Sequence, residues 1–264
     1  MKLKSLMLAV GLSVTLAASH SFAESGDISS VSATPELSTI SGTVTYSGPI
    51  PRHIERDSAG QRRNLIRVDP ESKGLRNAMV YLIPNKNYVE NDGDSLPEIQ
   101  ITQEFFEFLP GVVGVRADQP ILFGNDDPEN HNVRAKSTVK QNEFNVMTRQ
   151  RSFHETKFSV QPEGHPIELS CDIHRWMQGW VYVFDHPYFT ITNSHGEFSL
   201  EAVPNGDYTI VIEQPDTQLV SRSTLSVKDG VRISVTCAFE QSHLYGKASP
   251  TLQLSSGGGS ATSD

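Results

Sequence analysis

The stretch Ser170-Cys171-Asp172-Ile173-His174-Arg175-Trp176-Met177-Gln178-Gly179 sets a thiol, an imidazole and a thioether at C-x2-H-x2-M spacing. The loop is short enough for all three side chains to turn toward one point. Soft sulfur with borderline imidazole nitrogen is a donor set for copper, and a trigonal site of one Cys and two His with a weak axial Met lacks only a second His. His131, in Phe123-Gly124-Asn125-Asp126-Asp127-Pro128-Glu129-Asn130-His131-Asn132-Val133, is the candidate for it. The expected site is one copper ion, Cu(I)/Cu(II), held by His131, Cys171, His174 and Met177. Such a donor set serves both oxidation states with little rearrangement, which is the requirement of one-electron transfer. The metal would keep Cys171 deprotonated.

Taken singly, each ligand has an ordinary explanation. His131 follows an acidic turn and reads as an exposed loop histidine, His174 is no different, and Met177 is one of five methionines, the usual adaptable core residue. Their joint order and spacing is what points to a site. His154 and His165 flank the neighbouring strands and are the substitutes for His131, whereas His53, His186, His195 and His243 read as surface residues. Trp176 and Trp180 bracket Met177 and read as an apolar shell excluding water. Zinc is the alternative metal, since thiolate, imidazole and carboxylate suit it, although a thioether does not.

A strand framework has to position these groups. Ile40, Val44 and Tyr46 mark a first strand, and Ala78-Met79-Val80-Tyr81-Leu82-Ile83 is apolar on both faces, as an interior strand is. Residues 51–76, with six arginines, read as a long surface loop. From Pro97 the strands come closely spaced: 99–102, 105–109, 112–117, 120–123, 131–135, 144–147, 158–160, 167–171 and 179–185. After Asp185-His186-Pro187 further strands alternate at 189–191, 198–200, 208–212, 224–227 and 231–237, joined by turns such as Pro204-Asn205-Gly206-Asp207 and Lys228-Asp229-Gly230. No ten-residue helical period interrupts them. The fold class is all-β, with no major helix apart from a signal peptide.

Lys2 and Lys4 precede an apolar run from Leu6 to Ala18, and Ser21-Phe22-Ala23 supplies small residues for cleavage, so residues 1–23 read as a secretory signal and 24–37 as a flexible leader. The expected location is periplasmic or secreted, with no membrane insertion after signal removal. Losing Lys2 and Lys4 takes the net charge from −9 to −11, which disfavours nucleic acid and favours a basic protein partner. Two cysteines in an exported chain also admit a Cys171–Cys237 disulfide. Against that pairing, Val231, Ile233, Val235 and Cys237 share one face of an alternating strand, where Cys237 fits as a small buried hydrophobe.

Phe123-x-Asn125 leading to His131-Asn132-Val133, then Cys171-x2-His174-x2-Met177-x-Gly179 and a final strand, resembles the cupredoxins, with loop spacing like that of amicyanin. The resemblance covers residues 97–185. It implies a Greek-key sandwich with His131, Cys171 and His174 as equatorial ligands and Met177 as the axial one. It also implies that Asn132 fixes the first His strand against the Cys loop.

The flanks, Ser41-Gly42-Thr43-Val44 with Asn77 to Leu82 on one side and Thr192 to Tyr208 on the other, resemble the halves of a carboxypeptidase-regulatory-like, transthyretin-type sandwich. The implied organisation is a sandwich split into residues 38–96 and 186–240 around a cupredoxin at 97–185, with a disordered tail at 241–264. The combination is similar to exported methylamine-utilisation or plastocyanin-like bacterial proteins.

The function this implies is type 1 copper electron transfer, with a redox protein such as a cytochrome c or a dehydrogenase as partner. No His-x-His pair, Gly-x-Ser-x-Gly, His-Glu-x-x-His or P-loop occurs, and no enzyme activity is expected. The other readings are a non-redox adhesion or binding module with a Cys171–Cys237 disulfide, and a periplasmic copper carrier.

Overall fold

The structure, a computed structural model, describes residues 37–56, 62–85, 96–228 and 230–257. The signal expected at 1–23 and all but the last residue of the leader expected at 24–37 lie outside the described residues. The first group of strands is β1 (Ser38–Ser47), β2 (Arg52–Arg56), β3 (Arg62–Asn64), β4 (Arg67–Val68), β5 (Leu75–Arg76) and β6 (Met79–Pro84). The middle of the chain forms β7 (Ile99–Glu104), β8 (Glu107–Leu109), β9 (Val112–Arg116), β10 (Ile121–Asn125) and β11 (His131–Lys136). It continues with β12 (Phe144–Thr148), β13 (Phe153–Thr156), β14 (Ile167–Ser170) and β15 (Gln178–Phe184). The last group is β16 (Phe189–Ile191), β17 (Glu197–Val203), β18 (Gly206–Gln214), β19 (Leu219–Val227), β20 (Arg232–Glu240) and β21 (Gln253–Gly257). Helical structure among the described residues is limited to short 3-10 turns, so the fold is all-β.

Four sheets carry the fold, in the orders β17-β1-β20-β21, β16-β6-β18-β19, β12-β11-β14-β15-β9 and β13-β10-β7-β8. Strict alternation gives most strands one buried face, and three cores fill the spaces between successive sheets. The first core joins Val44, Leu82, Ile210 and Val235 from the first two of these sheets, here called the outer sandwich. The second joins Phe123, Val133, Leu169 and Val181 from the two middle-segment sheets, and it includes Cys171 and Met177. The third joins Met79, Tyr81 and Val211 to Val112, Tyr182 and Phe184. β6 therefore buries both faces, Val80 and Leu82 in the first core and Met79 and Tyr81 in the third, which is why its sequence is apolar throughout. Gly114 lies at this junction, where a Cβ would meet the Phe189 ring at 2.6 Å. The absent side chain lets the sheets approach.

Several expectations are corrected. Residues 51–76 are not simply a surface loop: β4 pairs with β5, and Ile66 and Leu75 are buried in the first core. Those two apolar residues stand too far apart to show a period. No strand forms at 158–160; the partner of β10 is β13, while Phe158 enters the second core from irregular chain. Phe105 and Phe106 are not strand residues but the turn between β7 and β8. The tail is ordered through Gly257: Leu252 is buried and β21 pairs antiparallel with β20. An edge strand needs backbone partners more than side-chain ones, so a Ser/Gly composition concealed it. Residues 258–264 lie outside the described residues. His186 is buried rather than superficial, packed against Phe184 and Tyr188, and burial pulls its pKa down to about 4.

Candidate metal centre

Two strands and one loop supply the site. His131 begins β11, whose Val133 and Ala135 point into the second core, and the same phase turns the His131 ring inward until it is fully buried. Cys171 follows β14 in phase with Ile167 and Leu169 and is buried with them. The chain then closes a tight loop before β15: Cys171 N–H donates to the Met177 carbonyl at 3.3 Å, and Met177 N–H to the His174 carbonyl at 2.9 Å. His174 N–H points at Cys171 Sγ, 3.4 Å away.

The loop thus brings His174 to His131. Their Nδ1 atoms are 2.8 Å apart, and each lies 3.9 Å from Cys171 Sγ. One donor atom from each of the three residues falls within 4.8 Å of the others. Metal–nitrogen and metal–sulfur bonds of about 2.0 and 2.3 Å together span a 3.9 Å gap, so the three donors fit a single ion. Met177 is fully buried in the same core as Cys171, at the far end of the same loop. The substitutes are elsewhere: His154 packs tilted against Phe144, and His165 bonds the Glu163 carbonyl at the surface.

Asn132 does what the resemblance implied. Its carbonyl oxygen accepts from Asp172 N at 2.7 Å and from Cys171 Sγ at 3.4 Å, while its amide nitrogen donates to Asn145 Oδ1 and Asp172 Oδ2. Asp172 is exposed, and its carboxylate is taken up by Asn145, Arg134 and Asn132, which draw its pKa down. It faces away from the donor group, which removes the carboxylate a zinc site would have used. Cys171 and Cys237 are both free and lie in different cores, so the disulfide alternative is not what this fold holds.

Burial raises the Cys171 thiol, but hydrogen bonds from His131 and from the Asn132 and His174 positions outweigh it, and the net shift is downward toward thiolate. For His131 burial acts against the charged form, yet its contacts with Cys171 and Asp127 leave the pKa raised. His174 is lowered by burial and then by the neighbouring His131. Cys237 has no such partners, and burial pushes it up to about 12. One cysteine is drawn toward thiolate beside two imidazoles; the other is core.

Sequence reasoning missed the groups behind the donors. Asp127, buried with 5% exposure, accepts from His131 Nε2 at 2.9 Å, so the proton sits on Nε2 and the Nδ1 lone pair faces Cys171. Asp127 also accepts from the N–H groups of Phe105 and Phe106 at 2.8 and 2.9 Å. Those two residues adopt φ +56° and +58°, a left-handed geometry costing bulky side chains on the order of 1 kcal/mol each. Phe106 meets the His131 and His174 rings edge-on at 5.6 and 5.1 Å. Acids at 126, 127 and 129 all precede His131, and only the i, i+4 spacing of Asp127 hinted which one returns to it.

The expected aromatic shell is half right. Trp176, in the turn before β15, packs on His174 at 5.2 Å, but Trp180, on the β15 face opposite Val181 and Val183, packs at the third core and donates to Asp216 Oδ1 at 3.0 Å. Strand alternation sends Trp180 to the far side of the sheet, whereas Trp176 lies in the turn, outside that alternation.

No family model and no curated protein matches the chain. The similar solved structures are cupredoxins, matched at low identity over part of the chain. The oxidised form of a proline-to-alanine amicyanin variant is 17% identical, covers 33% of this chain and 81% of its own, and has a TM-score of 0.29. A purple cupredoxin from Nitrosopumilus maritimus is 20% identical over 33% of this chain and 99% of its own, with a TM-score of 0.28. A copper-containing nitrite reductase from Thermus scotoductus is 16% identical over 40% of this chain and 26% of its own, with a TM-score of 0.32.

That last match corrects the expectation of no enzyme activity, because an enzyme stands among the similar chains. The four missing motifs do not establish that activity is absent.

Proposed function

We propose that this chain is a mononuclear type 1 copper protein that transfers electrons, with His131, Cys171 and His174 as close ligands and Met177 as the weak axial one. The convergence of two imidazole Nδ1 atoms on one buried thiol, each at 3.9 Å, carries the reading. Copper bound there supplies one-electron chemistry between its cupric and cuprous states. The protein's part is to keep the donors still: Asn132 ties the Cys171 loop to β11, and Asp127 orients His131. Phe106 and Trp176 cover the imidazoles and keep water off them. His174 is only half-buried, beside the exposed Ile173, and is the edge through which electrons would pass to a redox protein.

The acidic charge balance supports a partner with a basic surface, such as a cytochrome c or a dehydrogenase. The N-terminal pattern supports a periplasmic or secreted location. The likeness of the flanking segments to a carboxypeptidase-regulatory-like sandwich belongs to the same proposal, supported by the shared core of β1, β6 and β17–β20.

The test is to add cupric ion to the metal-free protein and record the visible spectrum. An intense sulfur-to-copper band is expected, absent in Cys171→Ser and weakened or shifted in His131→Ala. Stoichiometric binding without colour would rule out the blue-copper reading.

A further inference from the structure

Among the described residues, the Phe105–Phe106 turn is a place where strained backbone, a buried carboxylate and a candidate ligand meet. Both residues are left-handed, and the strain points their two N–H groups the same way, at the two oxygens of Asp127. Successive amides arranged so form a small anion nest. The carboxylate it holds accepts from His131 Nε2.

The turn is also anchored from outside the ligand-bearing sandwich. Glu107, the first residue of β8, pairs with Arg67 at 2.6 Å. Arg67 belongs to β4, which is rooted in the first core by Ile66 and by the partly buried Val68. A continuous series of contacts therefore runs from the outer sandwich to the first histidine: Arg67, Glu107, the turn amides, Asp127, His131.

We propose that Asp127 is a positioning residue for His131, and that the Phe105–Phe106 turn, braced by Arg67 of the outer sandwich, is the device that holds Asp127 in place. The inference deepens the metal-site reading and rests on it for the role of His131. It explains why a phenylalanine stands at 106 in a turn that usually takes Asn and Gly: Phe106 must cover the imidazoles, and the carboxylate offsets the strain. It also gives the outer sandwich a part in the site's geometry.

The test uses the full chain without metal and reads the His131 tautomer by nitrogen NMR. Wild type is expected to carry its proton on Nε2. Asp127→Asn should give a mixed tautomer and lower the affinity for zinc ion about 10–100-fold, the usual effect of losing a ligand's outer partner. Phe105→Pro, which removes one turn N–H and cannot adopt the observed φ, should act in the same direction. Phe105→Gly keeps the N–H, removes only the exposed ring and should retain the wild-type tautomer. Arg67→Ala should lower zinc affinity about two- to fivefold, the range for an exposed pair, and an unchanged affinity would remove Arg67 from the proposal.

A wild-type tautomer and zinc affinity in Asp127→Asn overturn the proposal. The same outcome in Phe105→Pro overturns the turn's part in it. Should Asp127→Asn fail to fold, Asp127→Glu and Phe105→Pro decide the matter. Because the tautomer is read without metal and the affinity with zinc, a protein that never turns blue with copper can still pass, which separates this inference from the copper reading.

Discussion

Asn132 joins two segments forty residues apart with a single side-chain amide. Three of its partners, Asp172 N, Asn145 Oδ1 and Asp172 Oδ2, lie within 3.2 Å. Removing it strands polar groups at the edge of the core. Asn132→Ala is expected to destabilise the metal-free protein by about 1–3 kcal/mol in urea denaturation, the cost of leaving such groups unpaired. His186 makes a different residue-scale prediction. Burial leads its downward shift from 6.5 to about 4, Asp185 opposes it and Arg116 adds to it. Between those values the unfolded chain binds the extra proton and the folded chain does not, so stability is lost as pH falls from about 6.5 to about 4. The loss is on the order of 3 kcal/mol. His186→Asn keeps an acceptor for Tyr188 N–H, which His186 Nδ1 takes at 3.2 Å, and should show a flatter pH profile in the same assay. An unchanged profile would remove His186 from the account.

At the scale of elements, β21 closes the edge of β20 that would otherwise stand open. Five registered pairs hold it, from Arg232 opposite Gly257 to Thr236 opposite Gln253, and Ser221 Oγ donates to the Pro250 carbonyl at 2.6 Å on the way. Leu252 fills the first core beside it. Ending the chain at Lys247 should lower the melting temperature by about 2–4 °C or more, as the loss of roughly 1 kcal/mol does in a domain of this size. It should also promote association through the bared edge. A truncated chain that melts and sediments with the full one would show that the strand adds nothing.

The whole molecule depends on the third core. Val112, Tyr182 and Phe184 belong to the ligand-bearing segment, yet they are buried against Met79, Tyr81 and Val211 of the outer sandwich. Cutting out residues 97–185 would expose them as a contiguous apolar face, of the kind that drives association. The excised segment is expected to aggregate or melt well below the full chain in calorimetry, and a monodisperse segment of unchanged melting temperature would contradict this. The same core explains the rank of the tyrosines: Tyr81 donates to the buried Glu213 at 3.2 Å, and burial raises both groups. The polar pair is tolerated there because each group satisfies the other.

The chemistry of the candidate site was legible in the linear chain because three donors sit in one loop, where spacing along the backbone is spacing in space. Strand positions were legible for the same local reason, since alternation records a buried face. Asp127, the Phe105–Phe106 turn and its Arg67 brace were not, because each acts through a contact between segments that no period links. Nor were β21 and the buried His186, whose places depend on which surface lies opposite. Composition assigns a residue its chemistry; only the folded neighbours decide whether it meets water, a metal or another core.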